Sequence, residues 1–362
     1  MLGPIYIFSF LIPKCDKVWC FGGFGDKYSD SSQILFEFAS KKNNFICVWI
    51  TGSKDLRRKL ISDGYKCELR YSIKGILYQL ISKKYIYSCY ISDINFWTSG
   101  GAIKINLWHG IPLKKIEHDI VKGPLSKVFN PTSKFSYLCS HLIYPATNVI
   151  SDVVFYSSEY ERKIYETAFK PKKMIKAFSP RNISILDKYK TESSTKAYKV
   201  LFAPTWRSCG VELNYEFNDA IITEVYNFCK IKKLKLDISI HPASNYMVKD
   251  NIQYTSVSGG NLKLDEYELL ITDFSSICFD FFLVGKSVLF TANDLDLYNN
   301  SDRGFYRDAY EFLEKNIITE LEALRVNLDT YSSGERYSES FVAFDKDAIS
   351  NVEAFFGAIE CL

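Results

Sequence analysis

Short apolar runs alternate with longer amphipathic stretches along this chain, and the alternation persists from one end to the other. The runs near 5–11, 17–21, 45–50, 86–91, 103–108, 152–156, 198–203, 235–240, 252–255, 268–272 and 287–291 have the length and the β-branched and aromatic content of strands. Between them, Ser31–Ser40, Ser158–Phe169, Asn218–Lys230 and Ser276–Val284 space their apolar residues as a helix with one buried face does. Strand and helix in steady alternation predict parallel sheets covered by helices, an α/β chain of the doubly wound kind. The run Ile5 to Ile12 is too short to span a bilayer and has neither a basic leader nor a small-residue cleavage site. It reads as the first core strand.

The alternation loosens at Phe178–Ser194, where Pro, Ser and Thr accumulate, and a linker or a surface loop beside it is expected there. A length of 362 residues suits two domains better than one. The expected division is a basic domain over 1–180, then a second domain over 181–345. Asp345–Ile359 is predicted as a helix, so that 346–362 packs back across the interface.

Charge sharpens this division. Residues 1–180 hold 26 Lys and Arg against 14 Asp and Glu, and residues 181–362 hold 19 against 28, so the whole-chain +3 conceals two oppositely charged halves. Lys54 to Lys84 carries nine basic and three acidic residues, with Ile73, Ile76, Leu77, Leu80 and Ile81 on one helical face. Such a face packs on the domain's own sheet or lies on an anionic membrane surface. No basic-aromatic RNA motif or recognition-helix signature is present, which argues against a nucleic-acid partner. The 16% aromatic content excludes a disordered chain. Ten cysteines without paired spacing fit a reduced cytoplasmic compartment and no zinc.

Candidate chemistry gathers where strand-like runs break. His109 sits between the run 103–108 and the Gly110/Pro112 break, where an imidazole faces a cleft as a proton acceptor or bridges a loop. His241 ends the run 235–240, just before Pro242. Thr272-Asp273-Phe274-Ser275-Ser276 closes another run ahead of a helix start, which serves as an anion site or as an ordinary cap. Arg303, beside Gly304, clamps a phosphate or is a solvated loop arginine. Asp280, one turn beyond Ser276, reads as structural.

In chain order, these segments and several others resemble the CDP-glycerol glycerophosphotransferase family, the teichoic-acid primases and polymerases of the cell envelope. The resemblance begins at the glycine-rich turn Trp19 to Asp30, with Tyr28-Ser29-Asp30. It continues through Trp108-His109-Gly110-Ile111-Pro112-Leu113-Lys114, Pro180-Arg181-Asn182, Ala203-Pro204-Thr205-Trp206-Arg207, His241-Pro242, Thr272 to Ser276 and Arg303-Gly304-Phe305-Tyr306. It implies a GT-B-like arrangement, two Rossmann-like domains facing a cleft, with the donor held mainly by the second. It implies that His109 and His241 are catalytic and that Arg181, Arg207, Thr272, Asp273, Ser275, Ser276, Arg303 and Gly304 bind the donor. Gly110, Lys114, Tyr28 and Asp30 then lie on the acceptor side.

The implied reaction moves glycerol phosphate, or a related alditol phosphate, from a CDP-alditol to a lipid-linked saccharide or growing polymer and releases CMP. No tightly bound cofactor is expected, no metal site is visible, and Mg²⁺ at most accompanies the diphosphate. A peripheral position on the inner face of the cell membrane follows from the charge and the acceptor. Since the first motif starts by Trp19, only the catalytic module is expected. The residues leave open a nucleotide-sugar glycosyltransferase, a CDP-ribitol-dependent transferase and a non-catalytic docking protein on the same scaffold.

Overall fold

The computed structural model describes residues 3–192, 197–207, 215–241, 244, 246–258, 262–301, 303–332 and 340–362. Ser193 and Ser194 of the expected linker, and Pro242, lie outside the described residues. Seven strands form the first sheet: β1 (Cys15–Gly22), β2 (Ile46–Thr51), β3 (Cys67–Leu69), β4 (Ser82–Tyr87), β5 (Ile103–Asn106), β6 (Val153–Tyr156) and β7 (Lys173–Lys176). Six form the second: β8 (Lys199–Ala203), β9 (Lys235–Ile238), β10 (Thr255–Ser256), β11 (Tyr267–Thr272), β12 (Ser287–Thr291) and β13 (Ile317–Ile318).

The orders are β3-β2-β1-β4-β5-β6-β7 and β10-β9-β8-β11-β12-β13, and all the neighbours are parallel. Each order reverses beside the first strand of its sheet, between β1 and β4 and between β8 and β11. Loops leaving those strands part in opposite directions, and a crevice opens at the carboxyl ends. The β/α alternation expected from the sequence is this fold. Three short edge strands, β3, β7 and β13, were not among the expected runs.

The helices over the first sheet are α1 (Gly3–Ser9), α2 (Asp30–Ser40), α3 (Lys54–Ser62), α4 (Ile73–Ile81), α5 (Ser126–Phe129), α6 (Lys134–Ile143) and α7 (Glu159–Ala168). Then come α8 (Pro180–Glu192), α9 (Tyr215–Lys232), α10 (Cys278–Leu283), α11 (Leu295–Ser301), α12 (Arg307–Asn316), α13 (Leu321–Ser332) and α14 (Val352–Glu360). Trp19, Phe21, Trp49, Ile86 and Ile105 are fully buried on the first sheet, and Val200, Phe202, Leu269 and Ile271 on the second.

Several expectations are corrected. The segment 5–12 is no core strand: Gly3–Ser9 is helical, with Pro4 in the first turn where its missing N–H is harmless. Tyr6 stacks on Phe96 at 4.5 Å, and the Ser9 hydroxyl accepts from Gly100 N–H at 2.9 Å. Most of the linker region is instead α8, which begins at Pro180, buries Ile183 completely and packs against α2, α10 and α14. The run 252–255 contributes only Thr255 to a strand.

The last helix starts at Val352 rather than near 345. Residues before it are pinned to the first sheet's loops by Asp345 N–H to Ser157 O at 2.7 Å and Phe178 N–H to Ile349 O at 2.9 Å, and Asn351 then caps α14 by accepting from Ala354 N–H at 2.8 Å. Within 54–84 the apolar face is not continuous. Ile73 and Leu77 point to solvent, whereas Lys84 is 4% exposed and donates to the carbonyls of Ile359 at 2.7 Å and Glu360 at 3.0 Å. Lys84 thus holds the last turn of α14 from inside the protein, where a cation meets the negative end of the helix dipole.

Phe355 is fully buried and its ring lies 4.3 Å from that of Phe155, while Phe356 lies 5.1 Å from Trp19. Replacing Phe355 by Ala is expected to destabilise the protein by about 3–5 kcal/mol. Urea unfolding followed by tryptophan fluorescence measures it; an unchanged midpoint would separate α14 from the core.

Candidate active site

The first wall of the crevice is built at the end of β1. A side chain at Gly22 would come within 2.5 Å of Asp93 O, and one at Gly23 within 2.2 Å of Lys27 O, so the chain turns there only with glycine. Asp26 anchors the turn, accepting from Gly52 N–H at 2.6 Å and pairing with Arg70 at 2.7 Å. The turn presents Phe24, Lys27 and Asp30 to the crevice.

The second wall follows β5. Asn106 is buried; its amide N–H donates to Cys89 O at 3.3 Å, and its carbonyl accepts from Trp108 N–H at 2.9 Å. That bracket holds Trp108 at φ +49°, a left-handed backbone that a bulky residue adopts only when its surroundings enforce it. The next residue is His109. Its ring stacks against Phe24 at 6.3 Å and lies tilted by 37° against Trp108 at 4.3 Å, and it shares a hydrogen bond with the Ser88 backbone.

His109 is open to the water of the crevice, yet surrounding protein lowers its pKa by desolvation. Asp30 and the Ser88 bond oppose that shift, and Arg303 and Arg181 reinforce it. The imidazole is therefore neutral at neutral pH, with one ring nitrogen occupied by Ser88. Such a group takes a proton from a bound hydroxyl.

The opposite side comes from the second sheet. Trp206 follows β8 and stacks on His241, which follows β9, at 5.4 Å and 16°. Ser275 and Ser276 follow β11. A side chain built at Gly110 would lie 3.9 Å from Ser276 Oγ, so the histidine turn of the first domain faces the serine turn of the second directly. The crevice between them encloses about 1010 Å³.

A strap fixes this approach. Ile111, Leu113 and Ile116 leave the first domain and are buried in one core with Phe274, Tyr298 and Phe305 of the second. Backbone bonds tie the strap to the arginine loop, Lys115 N–H to Gly304 O at 2.9 Å and Tyr306 N–H to Leu113 O at 3.1 Å. Tyr160 donates to Pro112 O at 2.7 Å, and Tyr306 to Asp119 at 2.8 Å.

Of the residues singled out from the sequence, His109, His241, Arg181, Ser275, Ser276, Arg303, Gly110, Lys114 and Asp30 line this one crevice. The Lys114 ammonium lies 4.7 Å from the Tyr298 ring centroid. Arg181 forms two 2.6 Å hydrogen bonds to Asp280 and stands 3.7 Å from Asp30, so it bridges the two domains at the rim. The others are elsewhere. Tyr28 turns away, donating to Glu37 at 3.0 Å and packing on Trp49. Thr272 is fully buried and donates to Ala203 O at 2.6 Å. Gly304 takes φ +77° and serves the strap through its carbonyl.

Arg207 and Asp273 are a buried pair at 2.8 Å; Arg207 also binds Asp294 at 2.9 Å, and its guanidinium lies 4.6 Å from the Phe274 ring centroid. Asp273 accepts from Thr205 N–H at 2.8 Å. These two residues hold up the second-domain side of the crevice. Residues missed in the sequence are Phe24, Lys27, Tyr90 and Trp206 in the lining, and Asp280 as the partner of Arg181. The glycine-rich turn next to Phe24 was the available signal; Tyr90 carries none. No group of three or more His, Cys, Asp or Glu suited to a metal is present among the described residues.

Two doubly wound sheets facing one crevice, with histidines on both sides, define a GT-B-like transferase fold. Residues 5–351 match the family CDP-glycerol:poly(glycerophosphate) glycerophosphotransferase, and the chain belongs to that family. A teichoic acid poly(glycerol phosphate) polymerase of Bacillus spizizenii is 25% identical over 326 residues, 82% of this chain and 79% of that protein. A polymerase of the same name from Staphylococcus epidermidis is 25% identical over 91% of this chain; the chain spans 47% of that protein. A solved structure of the wall teichoic acid polymerase TagF, soaked with CDPG, superposes with a TM-score of 0.68 at 20% identity, covering 96% of this chain and 89% of that one.

Arg207→Ala is expected to destabilise the protein by about 3–5 kcal/mol, because it leaves Asp273 and Asp294 buried without their cation. Urea denaturation reads the loss. A variant as stable as the parent would return Arg207 to the donor site.

Proposed function

We propose that this chain transfers glycerol phosphate from CDP-glycerol to a hydroxyl of a growing polymer and that CMP leaves. The observation that carries the reading is the placement of a neutral, oriented imidazole at His109 directly across from Ser276. The diphosphate rests over Ser275 and Ser276, with Arg303 supplying positive charge near it and Arg181, paired with Asp280 and Asp30, ordering the rim. His241, held flat against Trp206, stands on the donor side.

The acceptor hydroxyl gives its proton to the free ring nitrogen of His109, and its oxygen bonds to the β-phosphorus. The bond from that phosphorus to the bridging oxygen breaks, and CMP carries the electron pair away. Such a displacement asks the protein for alignment and charge stabilisation rather than a covalent intermediate. No tightly bound cofactor enters the reading, and Mg²⁺ would travel with the diphosphate.

The acceptor in this reading is a lipid-linked saccharide or polymer, and the chain binds the inner membrane face peripherally. No helix is long and apolar enough to cross a membrane among the described residues. Besides Ile61, Tyr71, Ile73 and Leu77 in the basic stretch 54–84, apolar side chains are exposed in two further places. Between β5 and β6, Leu125, Phe135, Leu138, Leu142 and Ile143 are exposed beside Lys122, Lys127 and Lys134, and α1 and the residues after it expose Ile7, Phe8, Phe10 and Leu11. Apolar surface this extensive, mixed with lysines, suits the interfacial layer of an anionic bilayer.

His109→Ala is expected to slow CMP release by roughly 10²–10⁴-fold while donor affinity is kept. Because desolvation lowers the imidazole pKa beneath its ordinary 6.5, the wild-type acid limb of kcat/KM should fall below that pH. More than about a tenth of parental turnover in the variant, or an acid limb above 6.5, would remove His109 as the base.

For the membrane reading, the wild type is expected to co-sediment with phosphatidylglycerol vesicles at low salt, and a Phe135→Ser, Leu142→Ser variant to remain in solution. Equal sedimentation of the two would place the membrane contact elsewhere.

A further inference from the structure

Behind the wall that carries His109 lies a carboxyl that the transfer chemistry does not use. Glu117 follows the strap at φ +46°, a left-handed backbone that favours glycine, and the residue is 7% exposed. A small cavity of about 20 Å³, lined also by Tyr87, Cys89, Asn106 and Ser151, separates it from the first sheet. Its carboxyl shares a hydrogen bond with Tyr90 and feels the charge of Arg303. Tyr90 and Arg303 both line the main crevice, as does His109. One buried carboxyl thus reaches the reaction chamber through a phenol of the first domain and a guanidinium of the second.

We infer that Glu117 is a positioning residue for the donor: protonated, it leaves the charge of Arg303 to the diphosphate, and ionised, it draws that guanidinium toward itself. The inference rests on the transfer reading above. Tyr87, Cys89, Tyr90 and Asp93 face the site from β4 and the loop after it, Arg303 faces it from the second domain, and His118 and Asp119 share its own turn. Burial pushes Glu117 up to about 8 against the pull of Tyr90 and Arg303. It also raises Tyr87, Tyr90 and Cys89, so these stay neutral, and it lifts Asp93 to about 6.

The sign follows from linkage. A protonated Glu117 favours an anionic donor, so a bound donor must favour the proton, and its binding takes up a proton as the pH passes through the carboxyl's midpoint. A residue that merely fills space would leave both the pH profile and the proton count unchanged.

Carboxyl ¹³C NMR of the full chain, with and without inorganic pyrophosphate, and calorimetry with CDP-glycerol between about pH 6.5 and about pH 9.5 test the proposal in the wild type and in Glu117→Gln. One carboxyl should titrate near 8, move upward with pyrophosphate and vanish in the variant. Wild-type affinity should fall about fivefold or more across that midpoint, and the variant should hold the low-pH affinity throughout. A carboxyl midpoint below about 6, a midpoint indifferent to pyrophosphate, or a parallel decline in the variant overturns the proposal. The pyrophosphate arm requires no recognition of CDP and the wild-type titration requires no variant. A chain that binds pyrophosphate but not CDP-glycerol would overturn the transfer reading while the NMR result still decides the role of Glu117.

Discussion

The site depends on one constraint, the burial of a first-domain strap in the core of the second domain. Trp108, Ile111, Leu113 and Ile116 come from the loop after β5, yet they pack among Phe274, Tyr298 and Phe305. Four largely buried side chains of this size amount to several kcal/mol of apolar burial, and the backbone bonds to Gly304 and Tyr306 add direction to it. A hinge between two sheets would otherwise leave His109 and Ser276 at a variable separation. Anchoring the strap turns a mobile distance into a built one, and in-line transfer requires that. The strained turn at Trp108 follows from the same packing, since its backbone N–H is held by Asn106 while its indole packs on Phe169 in the core.

Arginine placement around the crevice follows from the cost of burying charge. Arg207 reaches the interior only because Asp273 and Asp294 meet it there, and Arg181 lies at the rim between Asp30 and Asp280. A fully neutralised guanidinium contributes geometry rather than field. Arg207 therefore shapes the second-domain side of the crevice through Asp273 and Thr205. Arg181, the less buried of the two, keeps a face to the crevice and joins the domains through α8 at the same time.

The α/β class, the parallel sheets and most strand positions were legible because strands buried on both faces must be apolar throughout, and that pattern survives in sequence. The histidine and serine turns were legible because they break such runs at the carboxyl ends where a crevice must form. Direction of a side chain was not legible. Thr272 and Ser275 stand three residues apart beside the same strand end, yet one is fully buried and the other lines the crevice. Tyr28 and Asp30, two apart, diverge because the turn rotates between them, with Asp30 at φ +62°. The segment 5–12 was misread because a short apolar run has no periodicity to separate helix from strand, and the contacts that decide it, Phe96 and Gly100, lie far along the chain.

The polarity of charge between the halves acquires its meaning only in three dimensions. Much of the basic excess of the first half stays at the surface, but Lys84 is spent on the end of α14 and Lys83 faces Asp16 at 3.5 Å, so the 54–84 stretch is a weaker electrostatic feature than its composition implied. Apolar groups that would give a membrane contact its depth are exposed on α6 and α1 as well as at Ile73 and Leu77. Lysine attraction alone is screened within about 10 Å at 0.1 M salt, whereas buried apolar area is not. A surface that combines both holds a protein at a bilayer reversibly, and α6 belongs to the connection that starts at the strap. The turn that carries His109 is thus covalently continuous with the helix that exposes Phe135, Leu138, Leu142 and Ile143.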